Sequence, residues 1–153
     1  VSFEIRDARA DDQVRLHAIH HRATMSSYGR AHGWLDAILA DPAMPLESVG
    51  WTIVAADPVG ALGYAAVTAN HLESLYVDPA AQGNGVGRAL LDAVEARVGE
   101  RYARMTLRCP RANPDARRLY ERQGYTVRED QTIVYHGRSF EVWLMEKPLR
   151  RAP

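Results

Sequence analysis

The sequence predicts a mixed α/β fold: three layers, α/β/α, around a central and mostly antiparallel mixed sheet. Three observations carry this. A strand, a glycine-rich turn and an amphipathic helix follow one another between His71 and Gly99. Two pairs of apolar runs flank the turn signals Asp57-Pro58 and His136-Gly137 and read as hairpins. The elements come in the order βααβββαβαββ, which is mixed rather than strictly alternating and so disfavours an all-parallel sheet.

Each element has a local reason. Phe3-Glu4-Ile5-Arg6 alternates as a first strand, and Asp11 or Asp12 can cap a helix carrying Val14, Leu16, Ala18 and Ile19. The helical pattern fails from Met25 to Gly33, where Ser26-Ser27-Tyr28-Gly29 reads as a break. A second helix is expected from Gly33 to Ala40, closed by Asp41-Pro42. Gly50–Ala56 and Gly60–Ala69 form the first hairpin. Leu72, Leu75 and Val77 make the next strand, which Asp78-Pro79 ends. From Val86 the spacing turns helical, with Leu90, Leu91, Val94 and Val98 on one stripe and Gly99 as the stop. Arg104–Cys109 is a strand and Pro114–Gln123 a short helix. Tyr125–Tyr135 and Phe140–Met145 form the closing hairpin.

Composition narrows the function classes. A chain of 153 residues is expected to form a single domain over 1–153, burying roughly 70% of its unfolded surface. Formal net charge is zero, which gives no support for nucleic-acid or membrane partners. Arginine supplies nearly all the positive charge, with Lys147 the only lysine. One cysteine, Cys109, allows no internal disulfide, and no apolar run approaches membrane-span length. A cytoplasmic location is the expectation, and a homodimer is left open. His20-His21 lacks a metal-ligand partner at suitable spacing, so no metal is expected.

The turn Gln82-Gly83-Asn84-Gly85-Val86-Gly87 is the first chemical signal. Three glycines let successive N–H groups point one way, and the helix that follows starts with unpaired N–H groups and a partial positive charge. That is a phosphate cradle. A nucleotide-triphosphate loop would need Gly-Lys-Ser/Thr, where this chain has Gly87-Arg88-Ala89; the dinucleotide fingerprint would need glycine at Arg88. The segment instead resembles the acetyl-CoA loop of the GNAT superfamily of N-acetyltransferases, Gln/Arg-x-x-Gly-x-Gly/Ala, at Gln82, Gly85 and Gly87. Val77-Asp78-Pro79 before it and the Leu-Leu helix after it match the family context. A second family signature, Asn-x-x-Ala-x-x-x-Tyr-x-x-x-Gly-Phe/Tyr, is filled at Asn113, Ala116, Tyr120, Gly124 and Tyr125. The order of elements is that of the family's fold, so the resemblance covers most of the chain.

Acetyl transfer to an amine makes few demands. An alkylammonium, with a pKa near ~10.4, must lose a proton before it attacks, and the departing thiolate, with an unperturbed pKa near ~8.5, gains from an acid. The resemblance implies acetyl-CoA as cosubstrate and Tyr120 as the acid, with a packed tyrosine as the alternative. It implies Glu73 or His71 as the base, at the places where some arylalkylamine acetyltransferases carry His-x-His. Two residues apart on a strand, they are expected on one face. The backbone of Leu75, Tyr76 and Val77 corresponds to the segment that pairs with pantetheine. Gln82, Gly83, Asn84, Gly85, Val86, Gly87 and Arg88 correspond to the pyrophosphate loop. Asn113 corresponds to a contact on the pantetheine arm or the adjacent phosphate region, and equally to a helix cap. Tyr28 and Trp34, between the first two helices, are expected to shape the acceptor site.

The implied function is acetyl transfer to a small-molecule amine by direct attack in a ternary complex. A protein N-terminus or lysine is the alternative acceptor, and a non-catalytic acyl-CoA sensor domain the alternative function. No motif identifies the acceptor.

Overall fold

The computed structural model describes residues 2–28, 50–135 and 137–149. Seven strands form one sheet: β1 (Glu4–Asp7), β2 (Trp51–Ala56), β3 (Ala61–Thr68), β4 (His71–Val77), β5 (Arg104–Pro110), β6 (Thr126–Tyr135) and β7 (Arg138–Pro148). Their order is β1-β2-β3-β4-β5-β7-β6, and among the described residues only the β4–β5 pairing is parallel. The α-helices among the described residues are α1 (Gln13–Tyr28), α2 (Val86–Val98) and α3 (Pro114–Arg122). The helix expected from Gly33 to Ala40 lies outside the described residues.

The three layers follow from which side chains are apolar. Leu16 and Ile19 of α1 bury against Val54, Ala56, Ala61 and Tyr64 on one face of the sheet. On the other face α2 buries its predicted stripe of Val86, Leu90, Leu91, Val94 and Val98, each side chain stabilising the fold by roughly 1.5–3 kcal/mol. Ala116, Leu119 and Tyr120 of α3 join that same core, beside Met105, Leu107 and Cys109 of β5. Gly63 lets the start of α2 approach the sheet: a Cβ there would stand 2.8 Å from the Tyr76 carbonyl oxygen and 3.1 Å from Val86 Cγ1.

Three local expectations are corrected. Val14 is 84% exposed, because α1 turns Leu16 and Ile19 to the sheet and leaves Val14 on the opposite side. The helix does not break at Ser26-Ser27 but runs to Tyr28; packing of Ala23 and Thr24 outweighs the weak preference of serine against helix. Asp12 does not cap α1 by itself. A 3-10 turn over Ala10–Asp12 precedes the helix, and the Asp12 carboxylate reaches back to the Arg9 N–H at 2.7 Å and to the Arg6 guanidinium at 2.8 and 3.0 Å. The Arg6 bonds hold that carboxyl below the usual carboxylate range.

Candidate active site

The site is a fork in the sheet. β4 and β5 pair only at His71↔Thr106 and Leu72↔Leu107. Beyond them β5 continues against β7, reaching Pro110↔Val142, while β4 runs on to Val77 paired on its β3 side alone. The N–H and C=O groups along the open edge of β4 therefore face a cleft, a cavity of about 1310 Å³. It is lined by both arms of the fork, the loop from Gln82 to Arg88, the start of α3, the last turns of α1 and the β6–β7 hairpin.

The glycine-rich turn lies between β4 and α2, where its spacing places it. Gly83 and Gly85 have φ of 82° and 78°, a left-handed conformation that costs a residue with a Cβ about 1–2 kcal/mol. A Cβ at either would meet nothing within 4 Å, so the space over the loop is open. The Asn84 side chain donates to the Ala81 carbonyl at 3.1 Å and closes the turn from beneath. The first bond of α2 runs from the Ala89 N–H to the Gly85 carbonyl. Among the described residues no backbone carbonyl accepts from the N–H groups of Gly83, Asn84, Gly85, Val86, Gly87 or Arg88. Six consecutive donors at a helix N-terminus, with the exposed Arg88 guanidinium beside them, suit a pyrophosphate. At Gly87 a Cβ would make ordinary contacts of 3.6 Å with Leu119 and Val77, so alanine is sterically allowed there.

Seven other expected residues line the same cleft. Leu75, Tyr76 and Val77 line it from β4. Asn113 lines it and is also the cap of α3: its Oδ1 accepts from the Ala116 N–H at 3.1 Å, which leaves the side-chain NH₂ for another partner. Tyr120, 8% exposed, meets the Tyr125 ring edge-on at 5.9 Å and borders the cavity. Glu73 and His71 both line it. Their shared face does not follow from spacing, however, because the register shifts between Ala66 and Val67: Val67 pairs with Leu72 and Ala66 with Ser74, so Glu73 has no partner on β3. Tyr76 meets His20 of α1 while Leu72, Leu75 and Val77 pack on the α2 core, so the alternation slips between Leu72 and Leu75. Tyr28 is the last residue of α1; its side chain, and all of Trp34, lie outside the described residues.

Several residues that spacing did not single out hold or flank the lining of the cleft. His71 Nδ1 lies 2.8 Å from Thr106 Oγ1, and its Nε2 lies 3.4 Å from Arg108 Nη1. A guanidinium only donates, so Nε2 is the acceptor and the ring proton sits on Nδ1 towards Thr106. Arg108 Nε donates in turn to Gln131 Oε1 at 2.9 Å. From α1, Arg22 binds Asp78 at 2.6 Å, and Asp78 also accepts from the Ala80 N–H at 3.2 Å; this clamps the helix to the strand–loop junction and holds the Asp78 carboxyl low. His20 is buried edge-on against Tyr76 at 4.6 Å, and burial, with His17 and His21 adding to it, pushes it down to about 4. Their partners are distant in sequence, so only pairs such as Arg22–Asp78, which no local pattern joins, could have signalled them.

Burial pushes the Cys109 thiol up to about 11 in the core behind β5, so it supplies no thiolate. Among the described residues no group of three His, Cys, Asp or Glu side chains could hold a metal ion, and no helix is long and apolar enough to cross a membrane.

Comparison with known structures finds the same architecture repeatedly. A GCN5-related N-acetyltransferase from Rhodopseudomonas palustris superposes with a TM-score of 0.84 at 22% identity, covering 97% of each chain. The ribosomal-protein-S18-alanine N-acetyltransferase from Escherichia coli gives 0.71 at 22% identity, over 99% of this chain and 97% of its own. A GNAT superfamily phosphinothricin acetyltransferase from Sinorhizobium meliloti, in complex with acetyl-CoA, gives 0.66 at 23% identity, over 97% and 89%. At these identities the likeness is one of fold. No curated protein matches the chain by sequence. The sequence model of the acetyltransferase (GNAT) domain does match, over residues 47–142, which include the fork, the glycine loop and the whole of α3: the chain belongs to the GNAT acetyltransferase family.

Proposed function

We propose that the protein transfers an acetyl group from acetyl-CoA to the amine of a small molecule by direct attack in a ternary complex. The observation that carries this is the fork, where an open strand edge, a loop of uncommitted N–H groups and three candidate proton-transfer side chains meet in one cavity. Acetyl-CoA supplies an acetyl thioester, whose C–S bond is replaced by a C–N bond to the acceptor. The N–H groups from Gly83 to Arg88 would hold its pyrophosphate, and the free edge of Leu75–Val77 its amide-bearing arm. Complexes of the Sinorhizobium meliloti enzyme with acetyl-CoA and of a Thermoplasma acidophilum N-acetyltransferase with coenzyme A support this use of the shared fold.

Glu73 takes the ammonium proton. Its carboxylate is exposed in the cavity, with no hydrogen bond from another described residue, whereas His71 has both ring nitrogens engaged by Thr106 and Arg108. Tyr120 gives a proton to the leaving thiolate. The buried Cys109 supports direct attack over a covalent acetyl-enzyme.

The test is thiol release from acetyl-CoA against amines, polyamines, aminoglycosides, amino acids and peptides. Turnover with a small amine is the expected result. Acetyl-CoA binding with acetylation of peptides alone would move the acceptor to protein, and absence of acetyl-CoA binding would overturn the reading.

A further inference from the structure

The cavity carries two opposite charges at the fork that do not neutralise each other. The ladder between β4 and β5 ends at Leu72↔Leu107, so Glu73 and Arg108 are the first residues beyond the fork, one on each arm. Along β5, Met105, Leu107 and Cys109 are buried in the core with α2 and α3, while Thr106 and Arg108 alternate to the α1 side. Both Glu73 and Arg108 are exposed and line the cavity.

Arg108 is set differently from other arginines of the sheet. Arg6, Arg104, Arg111 and Arg128 each sit within 4 Å of a carboxylate. The guanidinium of Arg108 is held by two neutral acceptors, Gln131 Oε1 and His71 Nε2, and no carboxylate of the described residues lies within that distance. Two of its five N–H groups are thereby used to fix the plane. The charge is left uncompensated, and the Nη2 N–H groups are left to donate to an anion.

We propose that Arg108 is an anion-binding subsite for the acceptor, so that the substrate is a primary amine carrying a carboxylate or phosphonate a few bonds from its nitrogen. The proposal rests on the acetyltransferase reading above and narrows it. The ammonium faces Glu73 and the anion faces Arg108, which orients the nitrogen across the fork. A decarboxylated amine lacks the second contact and leaves a guanidinium facing the acceptor with nothing to pair.

The test uses the full chain and thiol-release kinetics with matched probes: α-amino acids and aminoalkylphosphonates, each beside its methyl ester or the amine lacking the acid. Wild type is expected to favour the anionic member by about tenfold or more in kcat/KM. Arg108→Gln should bring the paired values within about threefold, and Arg108→Lys should keep part of the preference. Acetyl-CoA affinity by calorimetry should stay the same in all three. Two results overturn the proposal. In one, wild type acetylates no anionic amine faster than its neutral partner, silence across the panel included. In the other, Arg108→Gln slows both members equally, which would make the residue only a support for His71. Either leaves the proposed acetyl-CoA site standing, whereas loss of acetyl-CoA binding in wild type would bring down the broader reading instead.

Discussion

At Tyr120 one oxygen separates a packing role from an acid. Tyr120→Phe keeps the ring against Tyr125, so thermal stability and acetyl-CoA affinity should hold while kcat falls by roughly 10- to 1,000-fold. Unchanged turnover would return the residue to the core. The bases are separated by pH–rate profiles at saturating acetyl-CoA. Glu73→Gln should lower kcat/KM by about 10²-fold or more at neutral pH and lose less as pH rises, because free amine becomes abundant. His71→Ala should cost less than about tenfold, since that ring is already engaged by Thr106 and Arg108. The reverse order would make His71 the base. Sequence spacing located both candidates, and what it could not give is the register slip beside Glu73, because alternation assumes an unbulged strand. Arg108 was illegible for a different reason: its meaning lies in Gln131 and His71, 23 and 37 residues away.

Among the elements, the strand–loop–helix unit was the most legible, because its turn geometry and helix stripe are encoded by neighbours in the chain. Gly85→Glu tests it. The substitution strains a φ of 78° and puts a negative charge over the donors, so acetyl-CoA binding should be lost by calorimetry while circular dichroism still reports a folded protein. Unchanged affinity in a folded variant would remove the loop from the site. What local pattern could not give is where β5 parts from β4 and how β7 enters between β5 and β6, since both are pairings between distant segments. The sole lysine shows the same limit. Lys147 on β7 binds Glu95 of α2 at 2.6 Å, and Tyr125 donates to the same carboxylate at 3.0 Å, which ties helix to sheet end. Lys147→Met would leave a nearly buried carboxylate with one neutral partner. The expected loss is about 2–3 kcal/mol by urea denaturation, discounted from a fully buried pair because the lysine keeps some exposure. A loss under about 0.5 kcal/mol would class it with ordinary surface pairs.

For the molecule as a whole, the layer of α1 over the sheet makes stability depend on pH in two separate windows. His20 is buried between α1 and Tyr76, and burial brings its folded pKa to about 4, against 6.5 for the unfolded chain. The unfolded state therefore takes up the proton first. The neutral ring costs nothing above pH 6.5, and stability falls as pH drops from there towards 4, by about 2 kcal/mol between pH 7 and pH 5. Asp12 and Asp78, whose carboxyls are lowered by Arg6 and Arg22, act further down: their contribution is present above the ordinary carboxylate value of 3.8 and is lost as pH falls through their folded values. Acid unfolding should thus begin with the histidine and finish with the carboxylates. Urea denaturation at pH 7, 6, 5 and 4.5 reads the first window, and His20→Gln should flatten it without altering the loss below pH 4. A wild-type profile level from pH 7 to 5 would show that His20 accepts its proton in the folded state, and would break the link between α1 packing and acid stability. Because His20 and Arg22 lie one turn apart or less on α1, the same profile also reports when the helix leaves the strand–loop junction that Asp78 anchors.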